Sequence, residues 1–490
     1  VSRLSQWIPV DQNPNDIIAA SSPRLRARIR QLVRDFPYFA RAVNILVDYT
    51  IGTGTNFQSR VLNPDWQPGE GQSKFDRKTC QQIEDAVAWW MDEADAAGKL
   101  HFSELERLAK RQDIETGESL FVKTRINNSR RYIPYALQAY EADWLTETRA
   151  TAINNNKIEQ GVEYDTATGR AVAYHFADPW GFGPARRIPA EYVLHGYDIQ
   201  RPTQLRGVSP FVTAVLIATD LNDYVDATID TAKMAAKYLA MVETTDIAGF
   251  QRARGITTAP DDADKKIEHL ENAIIEYLRP GEKISFAKND NPGQTFEPFT
   301  KFVLQMVAIS TSVPYTLLSG NYQGTNYTTL RGERQDLIKV FAPHCKRHIR
   351  HFAEPAVREA IDQAVLAGKL NLPGYWNNPR RYWRATFIPP GMEPVDPLRE
   401  SKANRDDIAA GLRSPQEIVA RRGRDLEEIL DEIAEAATMA KDRGLYIDAG
   451  STDTSLATAP SALGAADSRA LTNIISHVLE EQTLLQDAQE

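Results

Sequence analysis

The stretch SPFVTAVLIATDLNDYVDATIDTAKMAAKYLAM, residues 209–241, decides the fold of this chain. Ser209 and Pro210 form a helix start, and neither Gly nor Pro interrupts the residues that follow. At 1.5 Å per residue, about thirty helical residues span roughly 45 Å, more than a compact small domain requires. One stripe of the segment carries its apolar residues: Phe211, Val215, Ala218, Val225, Ile229, Ala232, Ala236 and Leu239. The stripe turns towards Ala at Ala232 and Ala236, which favours close packing against a neighbouring helix.

A second helix is predicted from about Phe296 to Ser312, ahead of Pro314. Between the two helices, residues 242–294 form a charged insertion with a predicted helix at 263–277 and a short strand in RPGEKISFAK. Because two helices flank one insertion, we expect the chain to run out along the first helix and back along the second.

The residues before this stretch mix helices with strands. We expect an extended arm to about residue 20, then a helix that begins at Ser22 and Pro23 and a second helix that ends at Gly52. Helices are predicted over 76–98 and 102–116, and strand signals continue to about residue 195. The sequence therefore predicts an α+β protein.

The residues after the second long helix are mostly helical. A polar loop, SGNYQGTNYTTLRGE, leads into a long helix that we expect to be broken or kinked at Pro343 and Pro355. Ser414, Pro415 and Glu417 have a capping-box pattern, and helical spacing continues to about Gly444. We expect residues 448–467 to be disordered and a last amphipathic helix to carry the apolar positions Leu471, Ile474, Ile475, Val478 and Leu479.

Composition excludes several classes of protein. The 490 residues carry 57 basic and 66 acidic side chains, a net charge of -9, which is atypical of a general nucleic-acid binder. Ordinary surface charge explains this value as well. No apolar run is long enough for a membrane-spanning helix, and Cys80 and Cys345 are too few for a disulfide framework.

Enzyme motifs are absent or incomplete. The chain contains neither a phosphate-binding Gly-x-x-x-x-Gly-Lys-Ser/Thr loop nor a Gly-x-Ser-x-Gly motif. His344, His348 and His351 share a helical face at spacings of four and three, so a DNA-processing metalloenzyme is the alternative hypothesis. No Glu completes a His-Glu-x-x-His motif, and basic residues surround the histidines. We therefore predict a structural helix face that contacts a neighbouring subunit, with no metal, no cofactor and no catalytic residue.

Several sequence blocks, in their order from about residue 22 to about residue 440, resemble the lambda family of phage portal proteins. The blocks are RQLVRDFPYFARAVNILVDYTIGTG (30–54), TGESLFVKT (116–124), LQAYEADWL (137–145), HGYDIQRPTQLRGVSPF (195–211), RPGEKISF (279–286), SVPYTLLSGNYQGTNYTTLRGE (312–333) and GLRSPQEIVARRGRDLEEILDEIAEA (411–436).

The resemblance implies a portal fold with an α/β wing, a long-helix stem, a small α/β clip and a helical crown. The expected regions are an arm (1–21), wing (22–208), outgoing stem helix (209–241), clip (242–294), returning stem helix (295–317), tunnel loop (318–328), long kinked helix and wing return (329–396), crown (397–447) and flexible tail (448–490).

The resemblance also implies a homo-oligomeric ring, normally of twelve copies, at one capsid vertex. Double-stranded DNA passes through such a ring, and the expected partners are the terminase large subunit, then head-completion and tail connector proteins, with major capsid protein and scaffold around the ring. The expected location is the virion, and the host cytoplasm during assembly.

Two groups of residues are expected to serve the ring. The first is a loop whose glycines permit movement and whose amides and phenols contact phosphates without a fixed charge: Asn321, Tyr322, Gln323, Gly324, Thr325, Asn326 and Tyr327. The second comprises Arg331 and Arg334, which would meet either DNA phosphates or acidic groups of the adjacent subunit. A surface loop without function is the alternative for the first group. Ala232 and Ala236 are the predicted stem-packing residues.

Overall fold

We analysed a computed structural model of the chain. It describes residues 11–64, 66–67, 74–146, 150–151, 156–178, 183–237, 240–244, 282–286, 296–391, 396–424 and 426–443. The chain divides into two compact units, Val1–Arg424 and Asp425–Glu490. The predicted helices at 263–277 and 471–479 and the segment 448–467 lie outside the described residues.

Helices contribute most of the described secondary structure. Those of the first unit are α1 (Pro14–Asp35), α2 (Pro37–Thr50), α3 (Arg77–Asp92), α4 (Phe102–Thr116), α5 (Val215–Lys237), α6 (Phe296–Thr311), α7 (Tyr315–Ser319), α8 (Tyr327–His348), α9 (Glu354–Leu366), α10 (Pro379–Tyr382), α11 (Pro397–Ala409) and α12 (Pro415–Arg421). In the second unit the described residues form α13 (Leu426–Asp442).

The strands form small antiparallel sheets. They are β1 (Asn56–Ser59), β2 (Glu118–Arg125), β3 (Tyr135–Tyr140), β4 (Ala150–Thr151), β5 (Lys157–Glu159), β6 (Val162–Tyr164), β7 (Ala171–Phe176), β8 (Arg186–Pro189), β9 (Val193–Tyr197), β10 (Ala240–Thr244), β11 (Glu282–Phe286) and β12 (Ala385–Ile388). They pair as β1-β12, β10-β11, β3-β2-β9 and β4-β5-β6-β7-β8. The expected α+β class is confirmed.

Helix α1 begins earlier than predicted. Its first residue is Pro14, so the expected arm over residues 14–21 is wrong and Pro23 lies inside the helix. The Asn13 side chain accepts the N–H of Asn15 at 3.0 Å and caps the helix. The Asn15 amide in turn donates to the carbonyl of Thr203 at 2.9 Å. This contact with the segment ahead of α5 stabilises a first turn that local sequence signals did not reveal.

Helix α3 ends at Asp92, so the prediction of helix over 93–98 is wrong. The carboxylate of Asp95 accepts the N–H groups of Ala97, Lys99 and Leu100 at 2.9 to 3.2 Å. A short acidic side chain that satisfies its own downstream backbone competes with the helix, which explains the early end.

The outgoing long helix is shorter than its apolar stripe predicted. A 3-10 turn over Pro210–Thr213 precedes α5, and residues 240–244 are the strand β10, so helix is wrong at 240 and 241. The register of β10 with β11 runs from Ala240 opposite Phe286 to Thr244 opposite Glu282. Strand pairing therefore overrides the helical pattern at this end. The returning helix α6 and the strand in RPGEKISFAK are confirmed.

A break at Pro343 is wrong, because α8 continues through it to His348, and a kink at Pro343 stays a prediction. A π-helical turn over Ile349–Ala353 follows, and Pro355 lies in the first turn of α9. The N–H of Glu354 bonds the carbonyl of Ile349, five residues back. This one wide turn precedes a proline that has no N–H to donate.

The C-terminal helix start at Ser414 is confirmed. The N–H of Glu417 donates to Ser414 Oγ at 3.1 Å, while the Glu417 carboxylate pairs with Arg421 at 2.8 Å. Gly423 adopts a φ of +78°, so the helical pattern from 414 to 444 forms two helices and not one.

Three hydrophobic clusters lie inside the first unit. The one that contains the long helices joins α1, α2, α5, α6, α7 and α8. Phe211 is fully buried there, with its ring 5.3 Å from that of Phe39 on α2. The base of α5 is thus fixed to the N-terminal helix pair. Among the described residues, no helix combines the length and the apolar composition that a bilayer crossing demands.

Candidate conduit loop and subunit-contact faces

A buried ionic junction fixes the chain just ahead of α5. Glu118, at the start of β2, is fully buried, and Arg206 Nε donates to both of its oxygens at 2.8 Å. His195 Nε2 lies 3.0 Å from the same carboxylate. Arg206 also donates to the carbonyls of Gln160 and Ala142. The Arg206 guanidinium therefore links the segment that precedes α5 to β2 and to the turns at Gln160 and Ala142.

The electrostatics of this junction follow from burial and pairing. Burial would raise the pKa of Glu118, but the charge of Arg206 and the hydrogen bonds from His195 and Arg206 outweigh it and hold that pKa well below its ordinary range. Burial lowers the pKa of His195 despite the carboxylate beside it. The carboxylate is therefore ionised and the imidazole neutral near pH 7. The sequence analysis did not predict the pairing of Glu118 with Arg206. Both residues lie in blocks that resemble the portal family, 116–124 and 195–211, but nothing in the sequence of either block indicates the contact.

Close backbone contact reinforces the junction. A Cβ on Gly207 would lie 1.9 Å from the carbonyl oxygen of Gly117, and a Cβ on Gly117 would lie 2.3 Å from the carbonyl carbon of Val208. Neither position has room for a side chain. Ser209 Oγ then donates to the carbonyl of Ile114 at 2.5 Å and accepts the N–H of Phe211. The start of α5 is thus positioned by α4 and β2.

Helix α6 has two apolar faces. Val303, Leu304, Val307 and Ala308 are buried in the core shared with α5. The other face carries large exposed apolar side chains at spacings of three and four: Phe299 (44% exposed), Phe302 (58%), Met306 (37%) and Ile309 (79%). We call these four residues the α6 row. A solvent-facing row of this size on one helix is typical of a protein–protein contact surface.

The stem-packing role of the two predicted alanines on α5 stays a prediction. Ala232 is half-buried on α5, and the side chain of Ala236 lies outside the described residues. Exposed large apolar side chains lie on both long helices: Leu216 (70% exposed) and Ile229 (45%) on α5, and the α6 row on α6. A contact of Ala232 or Ala236 with a neighbouring helix stays a prediction.

The predicted tunnel loop is an exposed polar turn between α7 and α8. Helix α7 ends at Ser319, Gly320 caps it with a φ of +70°, and Tyr327 begins α8, so the loop proper is 320–326. The Asn321 side chain accepts the N–H of Gln323 at 2.9 Å, and the Asn326 side chain caps α8 through the N–H of Thr329 at 2.8 Å. The loop is ordered by its own amides.

The two ends of the loop are fixed while its tip is open. Leu318 is fully buried, and Arg41 Nε donates to the carbonyl of Leu317 at 2.7 Å. Tyr322 is 46% exposed, and Gly324, with a φ of +75°, has no heavy atom within 4 Å of a Cβ placed on it. The loop residues Asn321 to Tyr327 carry no charge. Their amides and two phenols therefore present hydrogen-bonding groups to solvent without a fixed charge.

The two arginines that follow the loop lie differently. Arg331 is exposed on α8, whereas Arg334 is half-buried and its Nε has no hydrogen-bond partner among the described residues. Exposure alone does not separate DNA phosphate from a subunit neighbour as the partner of Arg331, so its role stays a prediction.

The histidine cluster does not form a metal site in the described part of the chain. His348 is buried, with its Nε2 3.3 Å from Glu106 of α4, so the expectation that it contacts a neighbouring subunit is wrong. His344 is half-buried beside Arg347, and burial followed by the charges of Lys110 and Arg347 lowers its pKa to about 4. No group of three His, Cys, Asp or Glu side chains within the described ranges could hold a metal ion.

The class of protein defined by the fold is an α+β protein whose long helices and small antiparallel sheets share three cores. The family model described as "Phage portal protein, lambda family" matches residues 2–342. This chain therefore belongs to the lambda family of phage portal proteins, a family of structural proteins and not of enzymes.

Its relatives include the "Probable portal protein" of Halomonas phage phiHAP-1, which is 27% identical over 452 residues, 86% of this chain and 81% of that protein. "Portal protein B" of Escherichia phage lambda is 20% identical over 465 residues, 87% of this chain and 86% of that protein. Among solved structures, the neck of a native GTA particle computed with C12 symmetry aligns with a TM-score of 0.47 and 14% identity over 82% of this chain and 96% of that chain.

Proposed function

We propose that copies of this chain form a closed ring, normally of twelve, at one vertex of a phage capsid, and that double-stranded DNA enters and leaves the capsid through the bore. Membership of the portal family supports the role. The observation that carries the ring is the α6 row, because one chain leaves these four large apolar side chains 37–79% exposed on a helix that is already packed on its other face. Phe299, whose ring lies 4.6 Å from that of Tyr224 on α5, is at the edge of the row, and Phe302 and Ile309 are its most exposed members.

A second copy is the partner that best explains the α6 row. Burying an apolar side chain of this size from full exposure contributes roughly 1.5–3 kcal/mol, and each member of the row, 37–79% exposed, would contribute part of that on contact with a second copy. An interface between different surfaces of identical chains continues from copy to copy and generates a ring when the rotation closes.

The loop 320–326 is the proposed DNA contact. Its groups are amides, hydroxyls and phenols, which bond phosphate oxygens without the counterion release that makes cationic contacts tight and salt-dependent. A wall of such contacts guides DNA and still lets it move. The -9 net charge of the chain is consistent with weak retention.

The remaining roles rest on the family alone. The ring would dock the terminase large subunit during packaging, then head-completion and tail connector proteins, and would contact major capsid protein and scaffold as it starts procapsid assembly. The chain would pass from the host cytoplasm into the virion. In this scheme α5 and α6 are the stem, β10 and β11 belong to the clip, and α11 to α13 contribute to the crown.

Native mass spectrometry tests the ring. The variant Phe302→Ser with Ile309→Ser removes the two most exposed members of the α6 row, and Leu366→Ser, a residue 59% exposed on α9, is the matched control. We expect rings from the wild type and the control, and mainly smaller species from the double variant. Unchanged rings from a folded double variant would contradict the assignment of this surface.

A further inference from the structure

Helix α8 and the π-helical turn after it expose a line of cations. Arg331, Lys339, Lys346 and Arg350 are all exposed and recur at multiples of about four residues along the face opposite the buried Leu337 and Phe341. We call these four residues the basic row. Lys339 pairs with Asp336 at 3.5 Å with both side chains about four-fifths exposed, and the other three cations form no ion pair with described residues.

Helix α5 exposes the opposite charge. Asp220, Asp223, Asp226 and Asp230 are all exposed and lie on the face away from the buried Ala218 and Leu221. We call these four residues the acidic row. Lys233 pairs with Asp230 at 3.1 Å and the amide of Asn222 bonds Asp226 at 3.2 Å, both at exposed sites. Asp220 and Asp223 form no ion pair within the described part of the chain.

The two rows are opposite in sign, and three members of the basic row cover the length of the acidic row. Asp230 lies ten residues after Asp220, about 15 Å along a helix, and Arg350 lies eleven residues after Lys339, about 16 Å. Arg331 extends the basic row to nineteen residues, about 28 Å, so it lies beyond the end of a paired acidic row. No ion pair among the described residues joins one row to the other within the chain. Each row is therefore available to a partner that carries the other.

We propose that the acidic row of one copy docks against the basic row of the next copy in the ring. This inference rests on the proposed function, because it assigns the polar contacts between neighbouring copies in the proposed ring. DNA could satisfy the basic row, but it would repel the acidic row, whereas a second copy satisfies both rows at once. A contact between two different surfaces of one chain is head-to-tail, which is the arrangement that closes a ring.

The expected consequence concerns register and assembly rate more than strength. Exposed ion pairs are individually weak, but complementary rows steer encounter and penalise a shifted alignment that places like charges together. The rows act over a Debye length of about 8 Å at physiological salt. Ring assembly should therefore slow as salt rises.

Charge reversal with mixing tests the pairing. One variant carries Asp223→Lys with Asp226→Lys, and the second carries Lys346→Glu with Arg350→Glu. The control carries Arg170→Glu in the turn between β6 and β7 with Arg186→Glu on β8, both at exposed sites. Native mass spectrometry measures the ring fraction, and one variant carries a mass tag. Circular dichroism establishes that each variant is folded.

We expect each reversed variant alone to form about tenfold fewer rings than the wild type at low salt, with the control unchanged. Equal mixing of the two reversed variants should restore rings that contain the same number of each, because only alternating neighbours then present opposite charges.

Three results would overturn the pairing. They are wild-type ring levels from either reversed variant alone, failure of the mixture to recover rings, and normal rings from the second variant together with weaker retention of DNA on filters. The last result would assign the basic row to DNA. Absence of rings from the wild-type chain would instead overturn the proposed function itself.

Discussion

The junction ahead of α5 and the loop 320–326 differ in burial, in charge pairing and in the space around their glycines. In the junction, Glu118 is fully buried, its charge is matched by Arg206, and Gly207 leaves no room for a methyl group. In the loop, Tyr322 is half exposed and Gly324 has open space around it. The chain therefore fixes the start of α5 and leaves the polar turn 320–326 accessible to solvent. A rigid frame that carries an exposed polar turn is consistent with the proposed channel.

The largest expected effect is at the junction. Arg206→Ala should lower the free energy of unfolding by about 3–5 kcal/mol, because it leaves the Glu118 carboxylate buried and unpaired. Arg421→Ala, which removes an exposed pair with Glu417, should cost no more than about 0.5 kcal/mol. Urea unfolding measures both. Equal losses in the two variants would show that the buried pair does not fix this region.

Replacing a glycine by alanine should also affect the stability of the junction more than that of the loop. Gly207→Ala should cost about 1–3 kcal/mol or more, since the new Cβ would meet the backbone of Gly117. Gly324→Ala meets no atom, but its φ of +75° is unfavourable for a side chain, so about 1 kcal/mol is expected. Thermal unfolding of the two variants compares them. A greater loss for Gly324→Ala would reverse the contrast.

The C-terminal part of α8, which contains His344, should make the stability of the chain depend on pH. The folded pKa of His344 is lowered to about 4, so the unfolded chain binds more protons below its ordinary value of 6.5. Stability is then present in full above pH 6.5 and is lost as the pH falls towards 4, by about 1–2 kcal/mol after allowance for partial exposure. His344→Gln should flatten urea unfolding curves recorded across this range. An unchanged slope would contradict the buried, neutral imidazole.

The smallest effect on stability is expected in the loop. Asn326 caps α8, so Tyr322→Ala with Gln323→Ala removes loop groups and retains the cap. The free energy of unfolding should change by less than about 0.5 kcal/mol, because both side chains are exposed. Rings should form normally while packaged DNA is retained less well in a packaging assay. Full retention would show that the loop is not the DNA contact.

Local sequence signals predicted much of this structure. The start of α12 at Ser414, the end of α4 at Gly117 and the helix α6 before Pro314 depend on caps, glycine and apolar spacing, which neighbouring residues determine. The family blocks placed the polar loop between two helices. These features required no knowledge of distant contacts.

The features that were missed depend on distant contacts. Asn15 bonds Thr203 and extends α1 backwards, β11 pairs with β10 and shortens the outgoing helix, and Arg206 meets Glu118 across 88 positions. The exposure of the α6 row was also hidden, because the sequence shows that Phe302 and Ile309 are apolar but not which face of α6 is covered. Buried pairing and exposure are properties of the folded chain.

Analytical ultracentrifugation of the purified full-length chain tests the central claim most directly. The account predicts one large species with the mass of about twelve copies, and its loss when Phe302 and Ile309 are both replaced by Ser. Sedimentation of the wild type as a single compact polypeptide under every assembly condition would contradict it.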